Sequence, residues 1–397
     1  MESSTFSPLP QLPADTQGFV FDLGSLYAFF YQFPDFRKKR GIRYSLAHLL
    51  VWLTLAKCCG QDTPSAIADW VQARREWLCQ ALHLQRSRLP HHTTYRRVLE
   101  KLGEGDAFEQ LLHDFWSHVP QVGQSVEIVL DGKSLRGTIS PQDPFGLHLL
   151  AAYLPGEGIV LMQLVVEKDK ENEIVVAPHL LECLDLHGKV ISADALHTQR
   201  KLSAQIVEAG GEYVWIVKEN QPTTHRAIEE LFAPPQILPG MGAPPLDFCS
   251  AKTVDKGHGR LEERTLTLSS ALNDYLDWPY LGQVFKLERR FTELHSGAVQ
   301  VDVAYGLTSL TRAEAHPQRL LRLVRSEWGI ENDVHYRRDV TFHEDQTRMN
   351  KRVGRAMAAL NNLIISLFSL HGYRNVAQAR RVLDARPQDA LAILCGL

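Results

Sequence analysis

Two aspartates come directly after short apolar segments of the chain. Asp131 follows Val126–Leu130, and Asp194 follows Val190–Ala193. Short apolar runs bounded by glycine, proline or charged residues predict buried strands. A carboxylate at the carboxyl end of such a strand lies at the edge of the sheet, where α/β proteins bind ligands. Taken singly, either aspartate is more simply explained as a helix N-cap or a turn residue.

A third acidic position is predicted on a helix. An apolar stripe at helical spacing extends from Leu320 to Val334, and Glu327 and Glu331 lie within it rather than on the polar face. Because burying an uncompensated carboxylate is costly, these side chains need a cation. Two alternatives stay open: an ion pair with Arg338, which lies on the same face, or a bound metal.

The three acidic positions together would suit Mg²⁺. This ion prefers oxygen ligands and keeps waters that can be exchanged for phosphate oxygens. Two such ions about 4 Å apart can align the attacking and leaving oxygens of a phosphodiester reaction. Metal-dependent phosphodiester chemistry is therefore a hypothesis, beside the structural explanations of each residue.

The elements that would position these residues change in character along the chain. Residues 35–118 carry apolar side chains at helical spacing, with helix starts at Ser45 and Thr63, and predict a helical domain with a basic rim. In residues 119–231 short strands come first and then alternate with helices. This order predicts a mixed α/β sheet.

The proline-rich segment 232–245 marks a boundary, since it can form neither a helix nor a central strand. Alternating apolar segments beyond it predict a β-rich insertion over residues 232–311. The chain is predicted to be helical over 312–372 and in a C-terminal tail, 373–397. Residues 1–34 contain proline and serine and are predicted to be a loose N-terminal arm or a docking segment.

Composition excludes several classes of protein. The 397 residues include 43 Lys+Arg and 46 Asp+Glu, a net charge of −3, so nucleic-acid contacts must come from local basic patches. The six cysteines show no C-x-x-C pair and no zinc-ligand spacing, as expected of free thiols in a reducing compartment. No uninterrupted apolar run reaches the roughly 18 residues of a membrane helix. We expect a cytoplasmic protein.

Basic residues near the N-terminus supply candidate DNA contacts. Arg37, Lys38, Lys39, Arg40 and Arg43 form a patch whose contribution to phosphate binding should fall steeply with salt.

Two further basic segments have competing explanations. Arg96 and Arg97 lie on a helix that follows the turn 89–92, an arrangement similar to a helix-turn-helix, although a solvated helix face explains it nearly as well. Residues 257–260 form a basic loop that could bind DNA ends, but an ordinary hairpin turn is the favoured interpretation.

Six short motifs occur in an order that resembles the DDE transposases of bacterial insertion sequences, in the branch that includes the H-repeat-associated proteins. Each motif is weak alone, and their order over almost the whole chain carries the resemblance. The N-terminal part, residues 35–99, also resembles the helical domain that accompanies this catalytic domain. The motifs are DGKSLRG (131–137), NEI (172–174), DALHTQ (194–199), KENQ (218–221), GHGRLEER (257–264) and WGIEN (328–332).

The resemblance implies an RNase H-like catalytic core, interrupted by the β-rich insertion, with Asp131, Asp194 and Glu331 as a metal-binding triad. It selects Glu331 over Glu327, which remains a candidate auxiliary ligand. The implied cofactor is Mg²⁺, with Mn²⁺ as a substitute. The implied activity is a DNA transposase that cuts the 3′ strand at the element's end with water and then joins the freed 3′-hydroxyl to target DNA.

The implied partners are double-stranded DNA, as terminal inverted repeats and as target, and a second copy of the chain in a homodimer. The implied location is the nucleoid of a bacterial cytoplasm. Two alternatives stay open: an RNase H-like nuclease or resolvase that cuts without joining, and a domesticated descendant that only binds DNA. The second is kept because Val324, Glu327 and Arg338 occupy the Tyr, Arg and Lys places of a Tyr-Arg-Glu-Lys pattern found in related enzymes.

Other motif residues are weighed in the same way. Asn172 and Glu173 are interpreted as a helix start, where capping is the simpler role, and His197 and His335 as structural residues, since soft ligands suit Mg²⁺ poorly. The remaining candidates for contact with the DNA backbone are Lys133, Arg136, Gln199, Lys218, Asn220, Gln221, Arg260, Arg325 and Arg338.

Overall fold

The computed structural model of the chain describes most of the sequence. Glu331, the predicted third member of the triad, lies outside the described residues, as do Glu327, Asn172 and His258. The described residues are 15, 18–40, 42–84, 88–167, 173–234, 247–257, 259–326, 330 and 334–396.

The first third of the chain is helical, and its helices begin where local capping dictates. Ser45 Oγ accepts a hydrogen bond from the His48 amide, and Thr63 Oγ1 accepts one from the Ala66 amide, so both predicted helix starts are confirmed. The helices are α1 (Leu26–Gln32), α2 (Leu46–Cys58), α3 (Pro64–Ala73), α4 (Arg75–Ala81), α5 (His92–Leu102) and α6 (Ala107–His118).

Of the two interpretations of residues 1–34, the docking segment is the one that agrees with the described part. Tyr27 and Phe30 on α1 are fully buried, and the Tyr27 hydroxyl donates a hydrogen bond of 2.6 Å to Asp15 Oδ2. Aromatic residues between the prolines and serines supply enough apolar surface to dock this segment on α2.

The middle of the chain forms one mixed sheet, which confirms the predicted α/β class. Its strands follow the order β3-β2-β1-β4-β5-β9-β8-β7-β6, with β1, β4 and β5 parallel and the other pairings antiparallel. The strands are β1 (Glu127–Leu135), β2 (Leu147–Leu154), β3 (Ile159–Val166), β4 (Val190–Ala193), β5 (Glu212–Val217), β6 (Cys249–Gly257), β7 (Arg260–Ser269), β8 (Gln283–Glu293) and β9 (Val299–Thr308).

Helices cover both faces of this sheet. Helices α7 (Glu173–Glu182), α8 (Arg200–Glu208) and α9 (Pro222–Phe232) pack on one face against β1, β4 and β5. Helix α10 (Pro317–Ser326) packs on the other face. Such two-sided burial is why these strands are apolar throughout rather than alternating. The helices are α7 (Glu173–Glu182), α8 (Arg200–Glu208), α9 (Pro222–Phe232), α10 (Pro317–Ser326), α11 (Tyr336–Val340), α12 (Lys351–Leu370), α13 (Val376–Ala385) and α14 (Pro387–Cys395).

Helix α12 joins the N-terminal helices to the sheet. Its apolar residues pack against α2 and α5 on one side and against β2 and β3 on the other. By length and composition it could cross a membrane, but its side chains are mostly buried inside the protein, as in a core helix. The N-terminal helices and α12–α14 therefore share one hydrophobic core.

Candidate catalytic site

Asp131 and Asp194 lie side by side on neighbouring parallel strands. The last residues paired between β1 and β4 are Leu130 and Ala193, and each aspartate is the next residue along its strand. Leu130 and Ala193 both point into the core under α7 and α8. Because successive side chains alternate between the faces of a sheet, Asp131, inside β1, is directed to the opposite face. Asp194 has an extended backbone directly after β4.

The Asp131 carboxylate is partly exposed. Its Oδ1 accepts a hydrogen bond of 2.8 Å from the Gly132 amide, and its Oδ2 lies 3.2 Å from Nδ1 of His335. Burial, together with the charges of Arg338 and Lys133, lowers the pKa of His335 to about 3. The imidazole is therefore neutral at physiological pH.

Asp194 is exposed and shapes the turn that follows it. Its Oδ1 accepts a hydrogen bond of 3.0 Å from the Leu196 amide and caps a short 3₁₀ helix, Ala195–His197. The simple interpretation as a cap is therefore correct. It does not exclude a ligand role, because a carboxylate has a second oxygen with its own lone pairs.

The segment that contains Glu331 can be located only through its described neighbours. Ile330 and Val334 are buried against Val129 and Tyr153, on the face of the sheet to which Asp131 is directed. His335, one residue further, contacts Asp131 itself.

A buried hydrogen-bond network lies on the other face of the sheet, and sequence reasoning missed it. Glu173, interpreted as a helix cap, places Oε1 2.6 Å from Nε2 of His148 and Oε2 3.0 Å from Nε2 of His197. Nδ1 of His148 lies 2.8 Å from the Ser134 hydroxyl. Burial raises the pKa of Glu173, but the bonds from both imidazoles outweigh it and lower the pKa to about 2.

This network connects the two strands that carry the aspartates. A Cβ at residue 132 would overlap the Glu173 carboxylate, so a larger residue directly after Asp131 would displace that carboxylate from its present position. On the other side, His197 belongs to the 3₁₀ turn that Asp194 caps. The Glu173 carboxylate thus contacts both Gly132, directly after Asp131, and His197, in the turn after Asp194. Of these two histidines, only His197 belongs to a motif that also contains an aspartate, DALHTQ. His148 belongs to none of the six motifs, so nothing in its local sequence indicated that it contacts Glu173.

Comparison with known proteins fits this arrangement. The family described as "Transposase DDE domain" matches residues 123–368, more than half of the chain, and "DDE_Tnp_1-associated" matches residues 27–116. The chain belongs to the DDE transposase family. The resemblance found in the sequence is thereby confirmed.

Individual relatives agree with the family. "Putative transposase YncI" of Escherichia coli O157:H7 is 27% identical over 324 residues, 80% of each chain. "H repeat-associated putative transposase YhhI" of Escherichia coli K12 is 25% identical over 326 residues, 80% of this chain and 83% of the relative. "Uncharacterized protein in dhlA 3'region" of Xanthobacter autotrophicus is 33% identical over 269 residues, 66% of this chain and 87% of the relative.

Three side-chain amides predicted to reach DNA form hydrogen bonds within the transposase. Asn220 Nδ2 donates to the Ala195 carbonyl at 2.5 Å, and Gln221 Nε2 donates to the Thr198 carbonyl at 3.0 Å. Gln199 Nε2 donates to the Leu196 carbonyl at 3.1 Å. These side chains therefore hold the loop after Asp194 in place.

Two basic residues predicted to bind DNA also have internal partners in the transposase. Arg338 is 1% exposed and forms bonds of 2.8 and 2.7 Å to Glu344 Oε2, so the prediction that it contacts DNA is wrong. The alternative of an ion pair between Arg338 and Glu327 or Glu331 concerns two residues outside the described part of the chain. Lys133 is nearly buried and pairs with Asp339 at 2.7 Å.

Other candidates around the catalytic edge stay accessible. Lys218 and Arg136 are exposed, although Arg136 Nε lies 3.8 Å from Asp345. Arg325 is half-exposed and pairs with Asp255 at 2.9 Å. Arg260 is exposed in a hairpin in which it pairs with Gly257, so the favoured interpretation as a hairpin turn is confirmed.

The N-terminal basic residues of the transposase converge on a groove. The loop before α2 and helix α5 form its two walls and enclose about 410 Å³. Arg37 bonds Asp35 at 2.8 and 2.6 Å and the Tyr44 carbonyl, so it braces the loop. Lys39 and Arg96 are exposed beside the groove. The residues that line this basic groove are Phe36, Arg37, Lys38, Arg40, Ile42, Arg43, Tyr44, Thr94, Arg97, Val98 and Lys101.

Proposed function

We propose that this transposase cleaves DNA at the ends of an insertion sequence and joins the freed ends to target DNA, with Asp131, Asp194 and Glu331 as the metal-binding carboxylates. One observation carries the proposal. Leu130 on β1 pairs with Ala193 on the neighbouring parallel strand β4, and the next residue after each is an aspartate, Asp131 or Asp194. Two observations support Glu331 as the third carboxylate. It belongs to the WGIEN motif, and Ile330 and Val334 pack against Val129, on the face to which Asp131 is directed.

The catalytic core that we propose is RNase H-like. The order β3-β2-β1-β4-β5, with β2 antiparallel and β4 parallel to β1, supports this proposal. Strands β6–β9 would then belong to the insertion over residues 232–311, which continues the same sheet beyond β5. The helical domain of residues 35–118 would precede the core.

The two described aspartates fit a hard divalent cation. Enzymes of this family use divalent metal ions, and we propose Mg²⁺, for which Mn²⁺ could substitute. Both ligands are carboxylates at a partly exposed edge, and the neutral His335 adds no competing charge. No described His, Cys, Asp or Glu completes a group of three ligands, so the proposal needs Glu331. A bound Mg²⁺ would lower the pKa of a water ligand and stabilise a leaving 3′-oxygen.

DNA would be held at two places. The basic groove would bind the phosphate backbone of a terminal repeat, since Arg40, Arg43 and Arg97 line it and are exposed. Lys218, Arg136 and Arg260 would contact DNA near the carboxylates. Because an insertion sequence has two ends, we propose that the transposase acts as a homodimer.

A strand-transfer assay tests this function. The substrate is a plasmid carrying the genomic DNA that flanks the reading frame on both sides, mixed with a second target plasmid, Mg²⁺ and the full chain. We expect nicks at the element ends and joined products. Asp131→Asn, Asp194→Asn and Glu331→Gln should each reduce both by about 10³-fold. The matched control is Asp274→Asn, at an exposed aspartate outside the site.

Each outcome distinguishes the alternatives. Cleavage without joined products would identify a nuclease or resolvase. DNA binding without either product would identify a protein retained only for binding. Undiminished cleavage by any of the three carboxylate variants would remove that residue from the proposed triad.

A further inference from the structure

The basic groove adjoins a second cavity whose walls are mainly aromatic and apolar. Phe36 and Lys101 line both cavities. The second cavity encloses about 210 Å³ between the loop after α1, the carboxyl end of α5 and the start of α6. We call it the aromatic slot. Its lining residues are Phe33, Phe36, Lys101, Leu102, Glu104, Ala107 and Phe108.

The two cavities differ in charge. The basic groove carries six cationic side chains, and none of its described lining residues is acidic. In the aromatic slot Lys101 Nζ lies 2.8 Å from Glu104 Oε2, so the two charges of the described slot compensate each other. A ligand that fills both cavities is therefore anionic at one end and uncharged at the other.

Phe36 lies where the two cavities meet, and the protein leaves it accessible. Its side chain is 39% exposed. Arg37, the next residue, donates to the Tyr44 carbonyl at 2.7 Å and so braces the loop. Phe33 and Phe108, with ring centroids 6.4 Å apart, supply further aromatic surface in the slot. Because the loop is already held, Phe36 can stack on a ligand ring at a small cost in ordering.

Neither cavity can admit a double helix. The 410 Å³ of the larger one is the volume of a cube roughly 7 Å on a side, whereas the major groove of a duplex alone is about 12 Å wide. A duplex can therefore lie across the basic groove, but only an unpaired nucleotide can enter it. Proteins that bind unpaired strands combine a cationic groove for the phosphates with aromatic side chains on which bases stack.

We propose that the two cavities bind unpaired nucleotides of a DNA strand, with the phosphates in the basic groove and a base stacked on Phe36 in the aromatic slot. The charges match, since a nucleotide carries its negative charge on the phosphate and none on the base. This inference rests on the proposed function, because it names the form of DNA that the basic groove receives.

Fluorescence anisotropy of the full chain without metal tests the proposal with two labelled probes, a blunt duplex and an oligothymidylate of roughly eight nucleotides, within the site size of proteins that bind single strands. Phe36→Leu removes the ring and keeps an apolar side chain. We expect it to weaken oligothymidylate binding by about 10-fold and duplex binding by less than about 2-fold. Phe36→Trp keeps a stacking ring and should bind the oligothymidylate as the native chain does. The matched control is Phe248→Leu, at a phenylalanine that is 38% exposed, and it should change neither affinity.

Several results would overturn the proposal. Native oligothymidylate affinity in F36L would do so, as would an equal loss of affinity for the blunt duplex. A native chain that binds the duplex but not the oligothymidylate would reduce the groove to a phosphate site. Displacement of the oligothymidylate by ATP at an equal concentration of nucleotide would assign the cavities to free nucleotides instead of DNA. Since these measurements need neither metal nor cleavage, failure of the proposed strand transfer would leave them unaffected.

Discussion

The catalytic edge and the basic groove use the same residue types in opposite ways. Around the catalytic edge, Lys133 and Arg338 are buried and paired with Asp339 and Glu344. In the basic groove, Arg40, Arg43 and Arg97 are exposed, and none forms an ion pair with a described carboxylate. Spacing in the sequence predicted DNA contact for all of them.

Burial explains the difference. A cation taken out of water must be compensated inside the protein, so the cations near the aspartates hold α11 and α12 in place instead of binding phosphate. An exposed cation on a loop or on an outer helix face has no such requirement and is available to phosphate oxygens. Charge type therefore predicts a DNA contact only where the fold leaves the side chain in solvent.

Removing the buried cation should have the largest effect. Arg338→Ala leaves Glu344 buried without its partner, and both side chains are 1% exposed, so we expect a loss of about 3–5 kcal/mol in the free energy of unfolding. Urea unfolding measures it. Arg381→Ala, at an exposed arginine of α13, should change stability little. An R338A variant that is as stable as the native chain but binds DNA more weakly would contradict the structural role assigned to Arg338 at the catalytic edge.

Acidification should destabilise the network behind the catalytic edge next most strongly. The pKa of Glu173 is about 2 in the folded chain against 4.5 ordinarily, so its ionised form stabilises the fold above pH 4.5, and this contribution is lost as pH falls from 4.5 toward 2. The expected total is at most about 3 kcal/mol. The stability difference between the native chain and Glu173→Gln should shrink over this range. A constant difference would contradict the network.

The same substitution should weaken metal binding. Glu173 touches no proposed ligand directly, but it positions Gly132 beside Asp131 and His197 beside Asp194. We expect E173Q to lower Mn²⁺ affinity by about 10–100-fold, measured by calorimetry on folded protein. Glu182→Gln, at the exposed far end of the same helix α7, is the control. Equal affinities in E173Q and E182Q would limit Glu173 to a role in stability.

Substitutions in the basic groove should have the smallest individual effects. Arg40→Ala, Arg43→Ala and Arg97→Ala should each reduce the slope of log K against log salt by about one and weaken binding to any duplex to a similar degree. Fluorescence anisotropy at several salt concentrations measures the slope. Arg381→Ala, which makes the same change in net charge, should leave it unchanged. Equal slopes for groove and control variants would mean that the groove does not contact phosphate.

Local patterns predicted the elements that are buried and apolar. Strands β1 to β5 and the strand ends that carry Asp131 and Asp194 all follow from short apolar runs. β6 was missed because Cys249–Gly257 is an edge strand with mostly polar residues. Helix α1 was missed because its aromatic residues adjoin a segment rich in proline and serine.

Partners that are distant in sequence could not be predicted. Glu173 meets His148 and His197 across separations of 25 and 24 residues, and no residue spacing specifies such contacts. The burial of Arg338 likewise depends on Asn362 of α12, 24 residues away. The bonds from the side-chain amides of Asn220 and Gln221 to the loop after Asp194 also join residues 25 and 23 positions apart, which no local pattern specifies.

Binding of Mn²⁺ to the full chain, measured by calorimetry in the absence of DNA, tests the account most directly. If Asp131 and Asp194 hold one cation between them, Asp131→Asn and Asp194→Asn should each weaken binding by at least about 10-fold, while Asp274→Asn binds as the native chain does. Native affinity in both site variants would show that the two strand-end carboxylates do not share a metal.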